Sequence, residues 1–219
     1  MSATPEQIEA GQAVYTRRTL AAYDLLVLGM SGKLIWKCPS SRLEAHYNNH
    51  LTSNHLDVGV GTGYFPDRCR FPSPNPRIAL MDLNQHTLDY ASGRIARYRP
   101  ETYRHNVLEH ICLNAGKFDS VGINLLLHCL PGSISAKAVA FDHLKALMHP
   151  GAVLFGATLL HGGMQSSWLA KRLMQVYNRK GIFSNRQDDL DGLDHELKKR
   201  FVDVTVEIVG SVALFSARV

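Results

Sequence analysis

Short apolar runs separated by amphipathic segments dominate the chain from about residue 55 onward. Five runs of apolar and β-branched residues predict strands. They cover residues 55–60, 77–81, 102–106, 118–126 and 152–160. Between them, apolar residues recur at helical spacing, as at Leu88, Ala91 and Ile95. Strands that alternate with helices are joined by crossovers and pair in parallel, so the pattern predicts an α/β fold around a parallel sheet.

The end of the chain departs from this alternation. Residues 202–209 and 211–218 predict two consecutive strands with only Gly210 between them. So short a connection indicates antiparallel pairing, whereas a dinucleotide-binding domain usually continues with further parallel units. We therefore expect a three-layer α/β sandwich with a mostly parallel seven-stranded sheet and an antiparallel strand at the C-terminal end.

The first 50 residues predict helices. Threonine, proline, glutamate and glutamine at 4–7 are the residues of a capping box with proline at the first helical position. A further short helix is expected at 40–48. The chain has 219 residues and is 45% hydrophobic, which is enough for one core. We expect one domain over 1–219, with a helical lid at 1–50 and the core at 51–219.

Composition argues against several classes of partner. The formal charge is +5, and the densest basic group, Lys198-Lys199-Arg200, lies on a predicted helix where a solvated face is expected. We therefore expect no nucleic-acid partner. The 4 cysteines lack the spacing of a metal or redox motif, so no metal site is expected. No apolar run approaches the roughly 20 residues that span a bilayer, so we expect a soluble cytoplasmic protein.

The strongest motif is a glycine loop directly after the first predicted strand. It contains Gly59, Gly61 and Gly63, and glycines at such a turn let backbone N–H groups approach a ligand closely. In a dinucleotide fingerprint the third glycine would stand where this chain has Tyr64, and an aromatic ring fits close helix–strand packing poorly. Asp57 precedes the loop. A carboxylate there can hold an ammonium group such as that of a methionine moiety, whereas a pyrophosphate would gain nothing from it.

A second acidic residue, Asp82, ends the second predicted strand about 20 residues beyond the loop. A carboxylate in this place can accept hydrogen bonds from both ribose hydroxyls of an adenosine. Enzymes that use NAD share this feature. Asp82 therefore predicts a ligand that contains adenosine, but it does not distinguish NAD from other adenosine-containing cofactors.

The motifs together resemble those of the class I S-adenosylmethionine-dependent methyltransferases. The matching segments are the glycine loop, residues 81–83, residues 118–131 and residues 147–152. The resemblance covers most of the chain from about residue 23 and is nearest to small members of natural-product metabolism. It implies a Rossmann-like fold and S-adenosyl-L-methionine as cofactor.

The resemblance also implies a set of cofactor-binding residues. These are Asp57, Gly59, Gly61, Gly63, Tyr64, Asp82, Leu83, Asn106, Val107 and Asn124. One position departs from the family pattern, because Asn106 stands where an acid often accepts the adenine amino group. An asparagine carbonyl can accept the same hydrogen bond without charge assistance.

Few catalytic groups are needed for methyl transfer. A sulfonium is already activated, so the enzyme has mainly to align the reactants and exclude water. A base is required only when the acceptor must lose a proton. His128, just past the fourth strand, and His161, at the end of the fifth, are the candidates for a base or orienting group. The alternative for His128 is a structural role in fixing the turn that follows it. The alternative for His161 is that it is a surface loop residue without a catalytic role.

The acceptor is left open by the sequence. In the resembling family the N-terminal region folds over the cofactor, so Tyr15 and Trp36 are candidates for substrate binding, with core packing as the alternative. Asn124 is not followed by the prolines and aromatic residue of nucleobase amine methyltransferases. We expect methylation of a small molecule, on oxygen before nitrogen or carbon, with an aromatic or polyketide-like acceptor. An RNA or protein methyltransferase and a non-methylating enzyme on the same fold are the alternatives, and a monomer or homodimer is expected.

Overall fold

Seven strands form one sheet in the computed structural model, which describes residues 34–113, 115–163 and 167–219. The strands are β1 Asn54–Val58, β2 Arg77–Asp82, β3 Glu101–Arg104, β4 Phe118–Asn124, β5 Met148–Leu159, β6 Val202–Val209 and β7 Val212–Arg218. Their order across the sheet is β3-β2-β1-β4-β5-β7-β6. Strands β1 to β5 pair in parallel, and β7 runs antiparallel to both β5 and β6. The predicted mostly parallel sheet with an antiparallel C-terminal strand is confirmed.

Helices cover both faces of this sheet. They are α1 Ser40–His50, α2 Tyr64–Arg68, α3 Gln85–Arg94, α4 Ile134–Lys137, α5 Val139–Ala146, α6 Trp168–Arg179 and α7 Leu190–Lys198. Single 3-10 turns follow at Ala96–Tyr98 and Leu127–Cys129. Side chains cap several helix starts, and Ser133 accepts a hydrogen bond from the Ala136 N–H at the start of α4.

Two apolar layers lie on opposite faces of the sheet. Because side chains alternate along a strand, Leu154 of β5 joins the layer under α4, α5 and α7, while Phe155 joins the layer under α1, α2 and α6. Both side chains are fully buried. This alternation produces the three-layer sandwich that the sequence predicts.

The largest differences from the predicted boundaries have local causes. The first strand ends at Val58 rather than at residue 60, because Gly59 has a φ of 68° and turns the chain while its N–H bonds to the Met81 carbonyl. Strand β5 begins at Met148 rather than at residue 152, and its pairing with β4 shifts register between Phe118 and Ser120.

The N-terminal predictions are tested in part. The helix expected at 40–48 is present as α1. The helices expected before residue 34, and Tyr15 with them, lie outside the described residues. The single domain over 1–219 stays a prediction. Within the ranges that the structure describes, no helix has the length and apolar character needed to cross a membrane.

Close packing at Gly156 yields a stability prediction. A Cβ at this position of β5 would lie 2.2 Å from the Ile123 carbonyl oxygen and 2.8 Å from the Phe215 ring. Because backbone cannot move aside cheaply, Gly156→Ala should lower the free energy of unfolding by about 3 kcal/mol or more. Urea denaturation followed by circular dichroism measures the change.

The matched control is Gly93→Ala in α3, where a Cβ meets no atom within 4 Å. Alanine is favoured over glycine in a helix by about 1 kcal/mol, so this variant should be at least as stable as the parent. Equal stability of the two variants would contradict the packing described for β4, β5 and β7.

Candidate functional site

A cleft opens at the carboxyl ends of β1, β2 and β4. Here the sheet order reverses, because the chain leaves β1 toward β2 and returns to place β4 on the other side of β1. Open α/β sheets bind ligands at such a reversal. Predicted cofactor residues that line the cleft are Gly59, Gly61, Asp82, Leu83, Asn106 and Val107. The structure therefore brings together residues from three separate parts of the chain.

The three loop glycines have different roles. All have positive φ, at 68°, 53° and 70° for Gly59, Gly61 and Gly63, a region that side chains rarely adopt. A Cβ on Gly59 would meet the Leu126 side chain at 2.8 Å, and one on Gly63 would meet the Ala91 backbone at 3.1 Å. A Cβ on Gly61 would meet nothing within 4 Å. Gly61 thus leaves space in the cleft, whereas Gly63 permits close packing of α2 on α3.

Tyr64 lies outside the lining of the cleft. Its hydroxyl donates to the Glu44 carboxylate at 2.5 Å, and the Arg68 guanidinium lies 5.0 Å from its ring centroid. The side chain is buried and ties α2 to α1. A direct contact of Tyr64 with the cofactor stays a prediction.

Asp82 faces the glycine loop with its carboxylate. One oxygen accepts the Asn84 N–H at 2.9 Å, and the N–H groups of Val60, Gly61 and Leu83 also point to the carboxylate. Burial raises the pKa of Asp82 to about 6, against the lowering effect of these N–H groups. The carboxylate lines the cleft beside the loop, the position in which it would accept ribose hydroxyls.

Asp57 lies beneath the loop and is buried. The Tyr47 hydroxyl faces its carboxylate. Burial raises the pKa of Asp57 well above its ordinary value, and the nearby Asp82 raises it further, while Tyr47 lowers it. A cation next to Asp57, such as an ammonium group, would lower this pKa.

The predicted adenine side is formed after β3. The Asn106 carbonyl oxygen accepts the Leu108 N–H at 3.1 Å, and its amide nitrogen donates to Glu109 at 2.9 Å. One lone pair of the oxygen stays available to a ligand amino group. Val107 and Leu108 give this end of the cleft apolar walls.

The end of β4 is unusual in two ways. Asn124 is 6% exposed, and neither of its amide atoms has a hydrogen-bond partner among the described residues. Leu125 follows with a φ of 58°, a strained conformation for a leucine, held by its N–H bond to the Ala157 carbonyl at 2.7 Å. A buried amide without partners fits a polar ligand group, and strain of this kind is common at functional sites.

The two candidate histidines occupy different environments. His128 is buried against Phe183, with ring centroids 4.6 Å apart, and burial lowers its pKa to about 3. Its Nδ1 lies 3.4 Å from both the Leu159 N–H and the Thr158 hydroxyl. His161 is exposed and lines a second concavity with Arg179 and Arg186. Neither lines the cleft at the glycine loop.

Trp36 is buried and packs on Phe183, with ring centroids 6.2 Å apart. Its carbonyl accepts the Ser211 N–H at 2.8 Å, which joins the segment before α1 to the turn between β6 and β7. Within the described residues Trp36 therefore contributes to the core. Its role in substrate binding stays a prediction.

Several lining residues were not predicted from the sequence. They include Asn84, Thr87, His105, Leu125 and Leu126. Asn84 caps α3. Its position directly after the second predicted strand would have identified it as a lining residue from the sequence. His105 and Thr87 carry no such signal, because only the packing of β3 and α3 beside β2 brings them to the cleft.

Comparison with known proteins leads to the family that the sequence motifs resemble. Residues 56–154 match the methyltransferase domain family. The chain is 39% identical over 212 residues to the demethylluteothin O-methyltransferase of Streptomyces thioluteus, covering 97% of this chain and 92% of that protein. It is 35% identical over 211 residues to the physcion biosynthesis cluster O-methyltransferase of Aspergillus chevalieri, covering 95% of each.

The fold agrees with a solved structure as well. The DhpI-SAH complex aligns with a TM-score of 0.69 at 13% identity, covering 99% of this chain and 98% of that one. The chain belongs to the class I S-adenosylmethionine-dependent methyltransferase family, and S-adenosylmethionine is its cofactor. The open space at Gly61 and the buried amide of Asn124 fit such a ligand.

The raised pKa of Asp82 predicts how cofactor affinity depends on pH. A protonated carboxyl accepts hydrogen bonds more weakly than a carboxylate. The affinity for S-adenosylhomocysteine should therefore fall as the pH is lowered through about 6, the pKa of Asp82. Calorimetry over a pH series measures this fall. Asp82→Asn should bind weakly without this step, and Asp82→Ala should show no measurable binding.

His105 is the control, because it is the imidazole that lines the same cleft. His105→Gln should keep the step at the same pH. Protonation of Asp57 also lowers the affinity for S-adenosylhomocysteine as the pH falls. This separate contribution remains in Asp82→Asn. Unchanged affinity in Asp82→Ala would refute the ribose assignment.

Proposed function

We propose that this methyltransferase transfers the methyl group to an oxygen atom of a small molecule, with an aromatic or polyketide-like acceptor. Support comes from relatives that span nearly the whole chain and are named as O-methyltransferases of demethylluteothin and of physcion biosynthesis. The cytoplasmic location and the monomeric or homodimeric state expected from the sequence remain predictions.

The observation that carries the proposal is the apolar wall of the cleft after β4. Leu125, Leu126, Leu130 and Pro131 form this wall, together with Cys129. No lysine or arginine is among the described residues that line the cleft. An apolar wall suits a planar carbon skeleton, whereas an RNA backbone requires basic groups.

The chain's own residues have three tasks in this reaction. When bound, S-adenosylmethionine supplies an electrophilic methyl group on a positively charged sulfur. Asp82 would orient the adenosine through its ribose hydroxyls, and Asp57 would hold the ammonium. The apolar wall would exclude water and align the acceptor oxygen with the methyl group. The acceptor proton leaves to solvent or to a base.

His128 is better suited to orient an acceptor than to deprotonate it. Burial lowers its pKa to about 3, so the ring is neutral near pH 7 and a weak base. Its Nδ1 is the acceptor facing the Leu159 N–H, so the proton of the neutral ring belongs on Nε2. That N–H can donate to an acceptor oxygen. His161, exposed beside Arg179, is the remaining candidate base.

A substrate panel tests the proposed acceptor class. Purified protein with methyl-labelled S-adenosylmethionine should methylate phenols or enols of aromatic and polyketide-like compounds, detected by mass spectrometry as one added methyl group. Matched amines and structured RNA are the comparison substrates. Transfer to RNA alone, with binding that weakens steeply with salt, would support the RNA alternative instead. Cofactor binding without transfer to any acceptor class would favour a non-methylating enzyme.

Variants of His128 separate orienting from deprotonation. His128→Ala should lower kcat on the identified acceptor by about tenfold, the effect of one lost hydrogen bond. His128→Gln, which keeps a donor, should recover part of this loss. The pH profile of kcat/KM should keep its shape in both variants. Loss of a limb of that profile would show that His128 is the base, and normal kcat with a lowered Tm would show that it only packs.

A further inference from the structure

A continuous chain of buried polar side chains runs beneath the glycine loop. The Tyr47 hydroxyl of α1 lies 2.8 Å from His55 Nε2 of β1, and His55 Nδ1 lies 2.9 Å from the Ser120 hydroxyl of β4. The Ser120 hydroxyl lies 2.8 Å from that of Thr52. The Tyr47 hydroxyl also faces the Asp57 carboxylate and lowers the pKa of that group. Tyr47, His55 and Ser120 are fully buried, so these bonds have no competition from water.

Packing holds the two aromatic rings of this chain in place. The Tyr47 ring stacks on Phe65 with centroids 5.3 Å apart, and the His55 ring stacks on Phe155 at 5.7 Å. On the β4 side, a Cβ at Gly122 would lie 3.2 Å from both the Asp57 carboxylate and the His55 ring. The absence of a side chain at Gly122 lets Asp57 and His55 lie against β4.

The protons of this chain can be arranged in two ways. With a protonated Asp57, the carboxyl donates to Tyr47, Tyr47 donates to His55 Nε2, and His55 Nδ1–H donates to Ser120. With an ionised Asp57 each bond reverses, so that Ser120 donates to Nδ1, His55 Nε2–H donates to Tyr47, and Tyr47 donates to the carboxylate. In both, His55 is neutral, in agreement with the burial that lowers its pKa to about 3. The tautomer of His55 therefore follows the charge of Asp57.

The groups that face Asp57 favour the protonated state without a ligand. Besides Tyr47 they are Asp82 of β2 and Cys69 after α2, neither of which is a cation. No lysine or arginine of the described ranges forms an ion pair with Asp57. Burial raises the pKa of the isolated carboxyl. An ammonium from the cofactor supplies the missing positive charge.

We propose that Tyr47, His55 and Ser120 are positioning residues that stabilise the Asp57 carboxylate when the cofactor's ammonium binds, and that His55 changes tautomer in that step. Binding releases the Asp57 proton to solvent, and each bond of the chain reverses its donor. This proposal rests on the assignment of Asp57 to the methionine moiety. Through Tyr47, it also connects α1 to the charge at the cofactor site.

Paired ligands test the relay. S-adenosylhomocysteine carries the ammonium, whereas 5′-methylthioadenosine has the same adenosine end without it. Tyr47→Phe keeps the stacking on Phe65 and removes the hydroxyl, so it should weaken S-adenosylhomocysteine binding about tenfold and leave 5′-methylthioadenosine binding unchanged. The control is Tyr103→Phe, which removes a hydroxyl bonded to Glu101 on β3, away from the relay. It should change neither affinity.

Nuclear magnetic resonance of the unmutated protein gives an independent measure. The ¹⁵N shifts of His55 should show the proton on Nδ1 without ligand and on Nε2 with S-adenosylhomocysteine, and 5′-methylthioadenosine should not cause this change. One tautomer throughout a pH titration, with and without S-adenosylhomocysteine, would overturn the proposal. So would equal weakening of both ligands by Tyr47→Phe. Failure of the unmutated protein to bind either ligand would instead refute the cofactor assignment itself.

Discussion

The reversal of strand order between β1 and β4 is the constraint on which the site depends. Neighbouring parallel strands whose chain continuations leave in opposite directions cannot both be covered at their carboxyl ends, so a crevice is left there. The glycine loop enters this crevice, and its first N–H is fixed to β2 at the Met81 carbonyl. Asp82, Asn106 and Leu125 then reach the same cleft from three different strands and loops. No single segment of the chain contains the site.

The cost of burying carboxyl groups shapes the chemistry of this crevice. Asp82 accepts backbone N–H groups from two loop residues and from the two residues that follow it, so its pKa is raised only to about 6. Asp57 is deeper and has the Tyr47 hydroxyl in place of such a cradle. The difference divides their tasks. Asp82 is suited to neutral hydroxyl donors near pH 7, whereas Asp57 is suited to a cation that ionises it on binding.

The same polar groups connect the layers of the sandwich. Tyr47 joins α1 to β1, and Ser120 joins β1 to β4, so the chain behind the glycine loop spans a helix and two strands. Tyr64 joins α1 to α2 through Glu44. The helix nearest the N-terminal region is thus attached at both ends of the loop. An apolar wall from Leu125 to Pro131 lines the same cleft after β4.

The sequence by itself determined the order and type of the strands, the parallel sheet with its antiparallel end, and the cofactor loop. These features depend on local patterns: periodicities of two and of 3.6 residues, a glycine triplet, and an acid at the end of a strand. Such patterns can be recognised in the sequence alone. Tertiary structure alone decided that His128 is buried with its Nδ1 toward Leu159, that Tyr64 turns to Glu44, and that His105 reaches the cleft. It also decided that Tyr47, His55 and Ser120 meet behind Asp57. These outcomes depend on which faces of distant elements pack together, and burial and hydrogen-bond partners are properties of that packing rather than of sequence spacing.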